Sequence, residues 1–303
     1  MKCLVTGGLG FIGSHLVRAL RSRDYPTYVV DDLSCGRIDR KIENVEYQIK
    51  SLLDEESLIA FVKKVQPQWV FHLAAWPQIQ PSFEDPSSYD HVNVHACLML
   101  MKALKEAKAP VKAFVNSCSS AIYGNPQTLP IPETQPIDPL SPYALQKYSA
   151  EAYLKILGKC NSIPVVSLRY FNVYGPGSFD PESRQSAYSS VIGIFKNQVA
   201  LGKPLTVTGD GKQTRDFVHI SDVVQANLLV AEKIQQTCFH SFNVGTGVET
   251  SVLQLAQLFG GSIQWVSERP GEIQASVADI KKLKELGWSP KVNLAQAIEK
   301  GMI

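Results

Sequence analysis

The sequence predicts an α/β fold, a doubly wound parallel sheet followed by a smaller C-terminal α/β substrate lobe. Three observations carry this. Short apolar runs alternate with helix-period segments through the first half of the 303 residues. A glycine-rich turn, Gly7 to Gly13, joins the first apolar run to the first helical segment. From about Tyr174 the texture changes to turn-rich sequence with shorter helices and brief strands.

The strand-like runs are Cys3–Thr6, Thr27–Asp31, Val45–Ile49, Trp69–Leu73, Ala113–Asn116 and Val165–Leu168. Helical segments are expected near 11–22, 54–65, 86–108 and 142–158. Such alternation marks βαβ units, whose strands are apolar throughout because helices cover both faces of the sheet. Right-handed crossovers then place ligands beyond the carboxyl ends of the strands. The break Gly175-Pro176-Gly177-Ser178-Phe179-Asp180-Pro181 is a run of turn residues. After it, helices are expected near 188–201, 221–235, 251–259, 279–286 and 293–302, with brief strands such as Leu205–Val207 and Phe242–Val244. The expected division is residues 1–174 as a Rossmann domain and 175–303 as the substrate lobe, with the chain crossing between them.

Composition narrows the function. Hydrophobic residues make up 45% and charged residues 19%, ordinary for a soluble domain. A net charge of +2 is too balanced to suggest nucleic acid or an anionic membrane as partner. No run approaches the ~18 apolar residues of a membrane span, and residues 2–6 read as a strand and not as a cleaved signal. The six cysteines are scattered without C-x-x-C spacing, which fits a reducing compartment, so a cytoplasmic location is expected. His91 and His95 stand at i,i+4 but lack the intervening Glu of H-E-x-x-H, and no metal is expected.

Gly7, Gly10 and Gly13 form G-x-x-G-x-x-G between a strand and a helix. Glycine lets the backbone turn tightly and approach a pyrophosphate, which the helix N-terminus then faces. Asp31 ends the next strand about 20 residues on, where a carboxylate accepts bonds from the adenosine ribose hydroxyls and repels a 2′-phosphate. The expected cofactor is therefore NAD, not NADP.

Ser141-Pro142-Tyr143 reads as a helix start, with Ser at N-cap and Pro at N1. Tyr143 falls in the first turn and Lys147 one turn on, on the same face. The positive helix end and the Lys147 ammonium both favour a phenolate, which suits Tyr143 as general base toward a sugar hydroxyl. The fifth strand runs into Asn116-Ser117-Cys118-Ser119-Ser120, small hydroxyl side chains able to touch a substrate oxygen. Spacing alone leaves open which of Ser117, Ser119 and Ser120 faces the site.

These motifs together resemble the extended short-chain dehydrogenases that epimerise or dehydrate nucleotide sugars. The likeness continues through Arg169-Tyr170-Phe171-Asn172, Gly209 to His219 and Arg269-Pro270-Gly271-Glu272, covering nearly the whole chain. Within that family the pattern is similar to the UDP-glucose 4-epimerase type. The resemblance implies that Ser119 hydrogen-bonds the sugar 4-hydroxyl, Tyr143 takes its proton and Lys147 binds the nicotinamide ribose. It places Phe11, Ile12, Asp31, Asp32, Ser51, Leu52, Leu73, Ala74, Ala75, Asn93 and Tyr170 at the cofactor. It places Asn172, Ser190, Val191, Arg215, Arg269, Glu272 and Ser276 at the UDP-sugar, where guanidinium groups suit the diphosphate. In that family NAD takes hydride from C4, the 4-keto sugar turns over about its diphosphate, and hydride returns to the other face.

The chain departs from the family pattern at four places. Ser120-Ala121 stand where the dehydratase branch carries an Asp-Glu pair, so elimination lacks its acid and base. Ser51 replaces an acidic residue near the adenine, and Trp76-Pro77-Gln78, after Ala74-Ala75, is an unusual filling of a loop near the substrate, which leaves the choice of sugar open. Ser276 lies where relatives carry a residue that gates the hexose pocket; a small side chain there leaves room for an N-acetyl group. Apart from these departures, Val94–Met101 is apolar on almost every side, and related enzymes pair such helices across a dimer, so a homodimer is expected.

Overall fold

The structure is a computed structural model and describes residues 1–179, 191–234, 239–267 and 273–303. The first half contains β1 (Cys3–Thr6), α1 (Phe11–Arg21), β2 (Thr27–Asp31), β3 (Glu46–Ile49), α2 (Glu55–Val65) and β4 (Trp69–His72). It continues with α3 (Ile79–Glu84), α4 (Pro86–Asp90), a π-helical turn at His91–His95, α5 (Ala96–Glu106), β5 (Ala113–Ser119), α6 (Pro142–Cys160) and β6 (Val165–Tyr170). The remainder holds β7 (Asn172–Tyr174), α7 (Val191–Ala200), β8 (Leu205–Thr208), β9 (Thr214–Arg215), β10 (Phe217–His219) and α8 (Ile220–Lys233). After these come β11 (Phe239–Val244), β12 (Thr250–Ser251), α9 (Val252–Phe259), β13 (Ile263–Val266), β14 (Ala275–Ser276), α10 (Lys281–Glu285) and α11 (Leu294–Glu299).

A seven-stranded parallel sheet in the order β11-β6-β5-β4-β1-β2-β3 is the centre of the molecule. Residues in β1, β4 and β6 are buried without alternation, as a sheet covered on both faces requires. Neighbouring side chains still go to opposite sides. Val5 joins a core with Leu16, Val17 and Leu20 of α1 and Val223 and Leu228 of α8. Leu4 joins the other core, with Phe61 of α2, Leu100 of α5 and Leu154 of α6.

Strand order reverses between β1 and β4, which opens a crevice at their carboxyl ends. Gly7, Leu73 and Ala74 lie there, with the ends of β2, β5 and β6 beside them.

Two features differ from the sequence expectation. The helix expected over 86–108 is three pieces: α4, the π turn and α5. A π turn carries one extra residue per turn, and here it holds the buried Asn93, whose side chain bonds the Trp76 backbone. Phe242–Val244, expected among the strands of the smaller lobe, lies in β11 and pairs with β6 at the edge of the central sheet. The chain thus returns to the large sheet after β7–β10. The smaller layer has its own core of Tyr174, Phe195, Leu205, Val207, Phe217 and Leu255. Its sheets are short: β7 with β10, β8 with β13, and β9 between β12 and β14.

Candidate active site

The glycine turn is held by close packing. Gly7 has φ 68°, and a Cβ there would stand 2.7 Å from the Ala74 nitrogen. A Cβ on Gly13 would come within 2.0 Å of the Gly7 carbonyl oxygen. Side chains are thereby excluded, and α1 begins directly against the turn. Its N-cap is Gly10, with no side-chain cap and no acidic residue in the first turn. Helical geometry leaves the N–H groups of Phe11, Ile12 and Gly13 without intrahelical acceptors at the positive end of the dipole. That cradle fits a pyrophosphate.

Asp31 closes β2 beside this turn and is buried. Its Oδ2 accepts the Leu9 N–H at 2.9 Å and its Oδ1 the Leu33 N–H at 2.8 Å. Burial raises the carboxyl pKa above the ordinary aspartate range, and the two backbone donors pull the other way. A carboxylate has about four acceptor positions, so the two bonds leave Asp31 able to accept from ribose hydroxyls. The donor set and the glycine cradle fit NAD.

Across the crevice, β5 ends at Ser117, Cys118 and Ser119. The Ser119 Oγ accepts the Ala121 N–H at 3.2 Å, starting a short 3-10 turn at Ser120–Tyr123. The start of α6 is as the sequence predicts: the Ser141 hydroxyl accepts the Ala144 N–H at 3.1 Å and Pro142 occupies the first turn. The Tyr143 backbone N–H donates to the Ser82 hydroxyl at 3.1 Å, tying this helix end to α3. Tyr143 and Lys147 are both buried. Desolvation lowers the Lys147 pKa below the ordinary lysine value, since burial disfavours the ammonium.

One cleft gathers these parts and holds roughly 1270 Å³ of space, some of it open to solvent. Its walls include Ser119, Tyr143 and Lys147 together with Gly7, Gly10, Phe11, Ile12, Gly13, Asp31, Asp32, Ser51, Leu52, Leu73, Ala74, Ala75 and Tyr170. Ser117 also reaches the wall, whereas Ser120 does not. Asn93 stands apart: its amide is engaged by the Trp76 backbone and, at 3.2 Å, by Gln146.

Of the residues expected at the sugar nucleotide, Arg215 and Ser276 are brought together on the adjacent strands β9 and β14, whereas Asn172 lies in the separate β7–β10 pair. Asn172 pairs with Phe217 in β10, its Nδ2 donates to the Asp216 carbonyl at 3.2 Å, and Ser276 is the register partner of Arg215. Val191 begins α7. None of these four is on the wall of the cofactor cleft. Ser190, Arg269 and Glu272 lie outside the described residues.

Sequence reasoning missed Arg40. Its guanidinium lines the cleft and donates to the Leu9 carbonyl at 3.3 Å and the Gly177 carbonyl at 3.2 Å. No local pattern marks it, since both acceptors are backbone oxygens of other loops.

Residues 3–245 match the NAD dependent epimerase/dehydratase family. The UDP-glucose 4-epimerase of Mycolicibacterium smegmatis is 33% identical over 99% of this chain and 97% of its own. The UDP-glucose 4-epimerase of Thermotoga maritima, solved with UDP-glucose, superposes with a TM-score of 0.91 at 36% identity, covering 99% of this chain and 96% of that one. The UDP-N-acetylglucosamine 4-epimerase of Methanobrevibacter ruminantium, solved with UDP-N-acetylmuramic acid, gives 0.89 at 34%, covering 99% and 95%.

Proposed function

The chain belongs to the NAD-dependent epimerase/dehydratase family, and from that premise we propose that it inverts C4 of a UDP-hexose through a 4-keto sugar. The observation that carries this reading is the meeting of Ser119, Tyr143 and Lys147 with the glycine turn and Asp31 in one cleft. NAD, when bound, supplies the acceptor and donor of the C4 hydride. Tyr143 takes the proton of the sugar 4-hydroxyl on its phenolic oxygen and returns it after the keto sugar has turned. Lys147 sits one helical turn away, where its charge favours the phenolate and its N–H groups suit the nicotinamide ribose. Ser119 orients the 4-hydroxyl. Ser120 and Ala121 offer no carboxyl pair to remove water, which favours epimerisation over dehydration.

Asn172, Arg215 and, outside the described residues, Arg269 are proposed to grip the nucleotide diphosphate. Turning of the keto sugar needs a firm hold there and a loose one on the hexose. Substrate choice is assigned to Ser276, whose small side chain leaves room for an N-acetyl group beside Arg215. A Ser276→Tyr variant is expected to lose activity on UDP-GlcNAc while keeping it on UDP-glucose; an unchanged ratio of the two would remove the gating role.

We place the enzyme in the cytoplasm as a homodimer. Five free cysteines stand among the described residues, and no helix there is long and apolar enough to cross a membrane. The decisive assay incubates purified protein with UDP-glucose and with UDP-GlcNAc, without added NAD, and resolves the products. A galacto-configured sugar nucleotide is expected from at least one, and its absence from both would sink the epimerase reading.

A further inference from the structure

The cofactor cleft has two banks at its adenosine end, and one side chain ties them. Asp31, Asp32, Ser34 and Cys35 line one bank; Ala74, Ala75 and Pro77 line the other. Trp76 lies between Ala75 and Pro77 yet is not part of the wall. Its indole N–H instead donates to the Ser34 hydroxyl at 3.1 Å.

Both ends of this tie are anchored. The Trp76 backbone N–H donates to the Asn93 Oδ1 at 2.8 Å, and the Asn93 Nδ2 donates back to the Trp76 carbonyl at 3.2 Å. The same amide nitrogen reaches Gln146, the neighbour of Lys147, at 3.2 Å. The Trp76 ring meets Tyr89 edge-on with centroids 5.1 Å apart. On the opposite bank, Leu33 takes a left-handed φ of 63°. That conformation is strained for leucine and persists only where surroundings hold it. The Asp31 carboxylate holds Leu33, Asp32 accepts the Ser34 N–H at 2.9 Å, and Trp76 holds the Ser34 hydroxyl.

We infer that Trp76 is a bar across the cofactor cleft that slows NAD release, by fastening the loop after β2 to the loop after β4. This rests on the NAD reading of the site and goes beyond it. Ser34 and its neighbours must swing outward for the adenosine half of a dinucleotide to leave, and the indole–hydroxyl bond must break first. Trp76 acts as a positioning residue; the Ser34 loop does the covering.

The test measures exchange of bound NAD against excess labelled NAD in the full-length protein, for wild type, Trp76→Phe, Ser34→Ala and the double variant. Trp76→Phe keeps an aromatic ring beside Tyr89 but removes the donor together with the five-membered ring, so Ser34→Ala is the more conservative loss of the same bond. Each single change is expected to speed NAD exit about threefold to tenfold, the range for one neutral hydrogen bond, and the double variant to match either single. Melting temperatures of the NAD-free proteins should fall only slightly, as for the loss of one hydrogen bond, and no further in the double variant than in either single. Ser34→Ala removes the same bond from a loop and keeps the test decisive if the Trp76 variant fails to fold. Exit rates equal to wild type, or single effects that multiply in the double variant, would overturn the bar while leaving NAD binding intact. A wild-type protein that neither carries nor takes up NAD would overturn the cofactor reading itself, and the bar with it.

Discussion

Tyr143 carries the largest single-residue expectation. Tyr143→Phe removes the proton acceptor and leaves the ring's packing and the helix start unchanged. Turnover is expected to fall by about 10²-fold to 10⁴-fold, the usual range for a general base, with NAD content unaltered. Retained turnover would remove Tyr143 as the base. Asp31 gives a pH dependence with two opposite signs. Burial raises its folded-state pKa above that of an unfolded aspartate. As pH falls through that raised value the folded apo-protein takes up the proton more readily than the unfolded chain, so this group adds to apo stability. NAD affinity, which uses the charged acceptor, is full above the raised pKa and is lost below it. Calorimetric titration should show NAD weakening at milder acid than a solvated aspartate would give. Asp31→Asn should bind about 10-fold to 100-fold more weakly at neutral pH without that acid step. Both residues were readable from sequence because each is tied to a local signal, a helix start or a strand end. Arg40 and Ser34 were not placed, and Trp76 was expected in a loop near the substrate and not on Ser34, because their partners lie in other loops and only the folded chain brings them together.

At the scale of elements, α6 is the part that must not move, since it carries both Tyr143 and Lys147. It is fixed from behind by Glu151, one further turn along. The Glu151 carboxylate takes Arg169 of β6 at 2.5 and 3.2 Å and the Ser167 hydroxyl at 2.7 Å. The guanidinium in turn donates to the Tyr123 hydroxyl at 2.8 Å, and Tyr123 donates to Asn243 of β11 at 2.7 Å. Glu151→Gln leaves a buried guanidinium without its countercharge, a change of about 3–5 kcal/mol, read as a lower urea midpoint. The double variant Glu151→Leu/Arg169→Met removes both charges and should recover much of that loss, since buried pairs are often replaceable by apolar side chains. A double variant as unstable as the single would mean that packing, not charge, seats α6. Most strands of the central sheet were readable to within a residue or two, because a doubly covered sheet writes uninterrupted apolar runs into the chain. The π turn at His91–His95 was not, since a single extra residue leaves the helical period almost unchanged. The role of β11 was equally hidden, because the strand's apolar residues do not say which sheet they join.

For the whole molecule, the remaining question is what covers the outer face of α5 and α6. These helices pack on each other, and α5 buries Ala96, Cys97, Leu100, Met101 and Leu104 against the sheet side. Leu98 and Met99 are only half-buried. On α6, Leu145, Tyr153 and Ile156 are 53%, 46% and 60% exposed. They fall at i, i+8 and i+11, one stripe along a helix whose other face holds Tyr143, Lys147 and Glu151. An isolated exposed leucine needs no explanation, but an ordered stripe beside a second half-apolar helix is what a two-fold helix-pair interface presents to its copy. Sedimentation of the wild-type protein at micromolar concentration is expected to give twice the chain mass. Ile156→Arg, which sets a charge in the middle of the stripe and touches no residue of the cleft, should shift the protein to the single chain mass. Because α6 also carries the Tyr143/Lys147 pair, the monomeric variant is expected to lose turnover in parallel with dissociation and to regain it at concentrations that restore the dimer. A wild-type protein that sediments as a single chain, or an Ile156→Arg variant that remains a dimer, would move the interface away from this stripe.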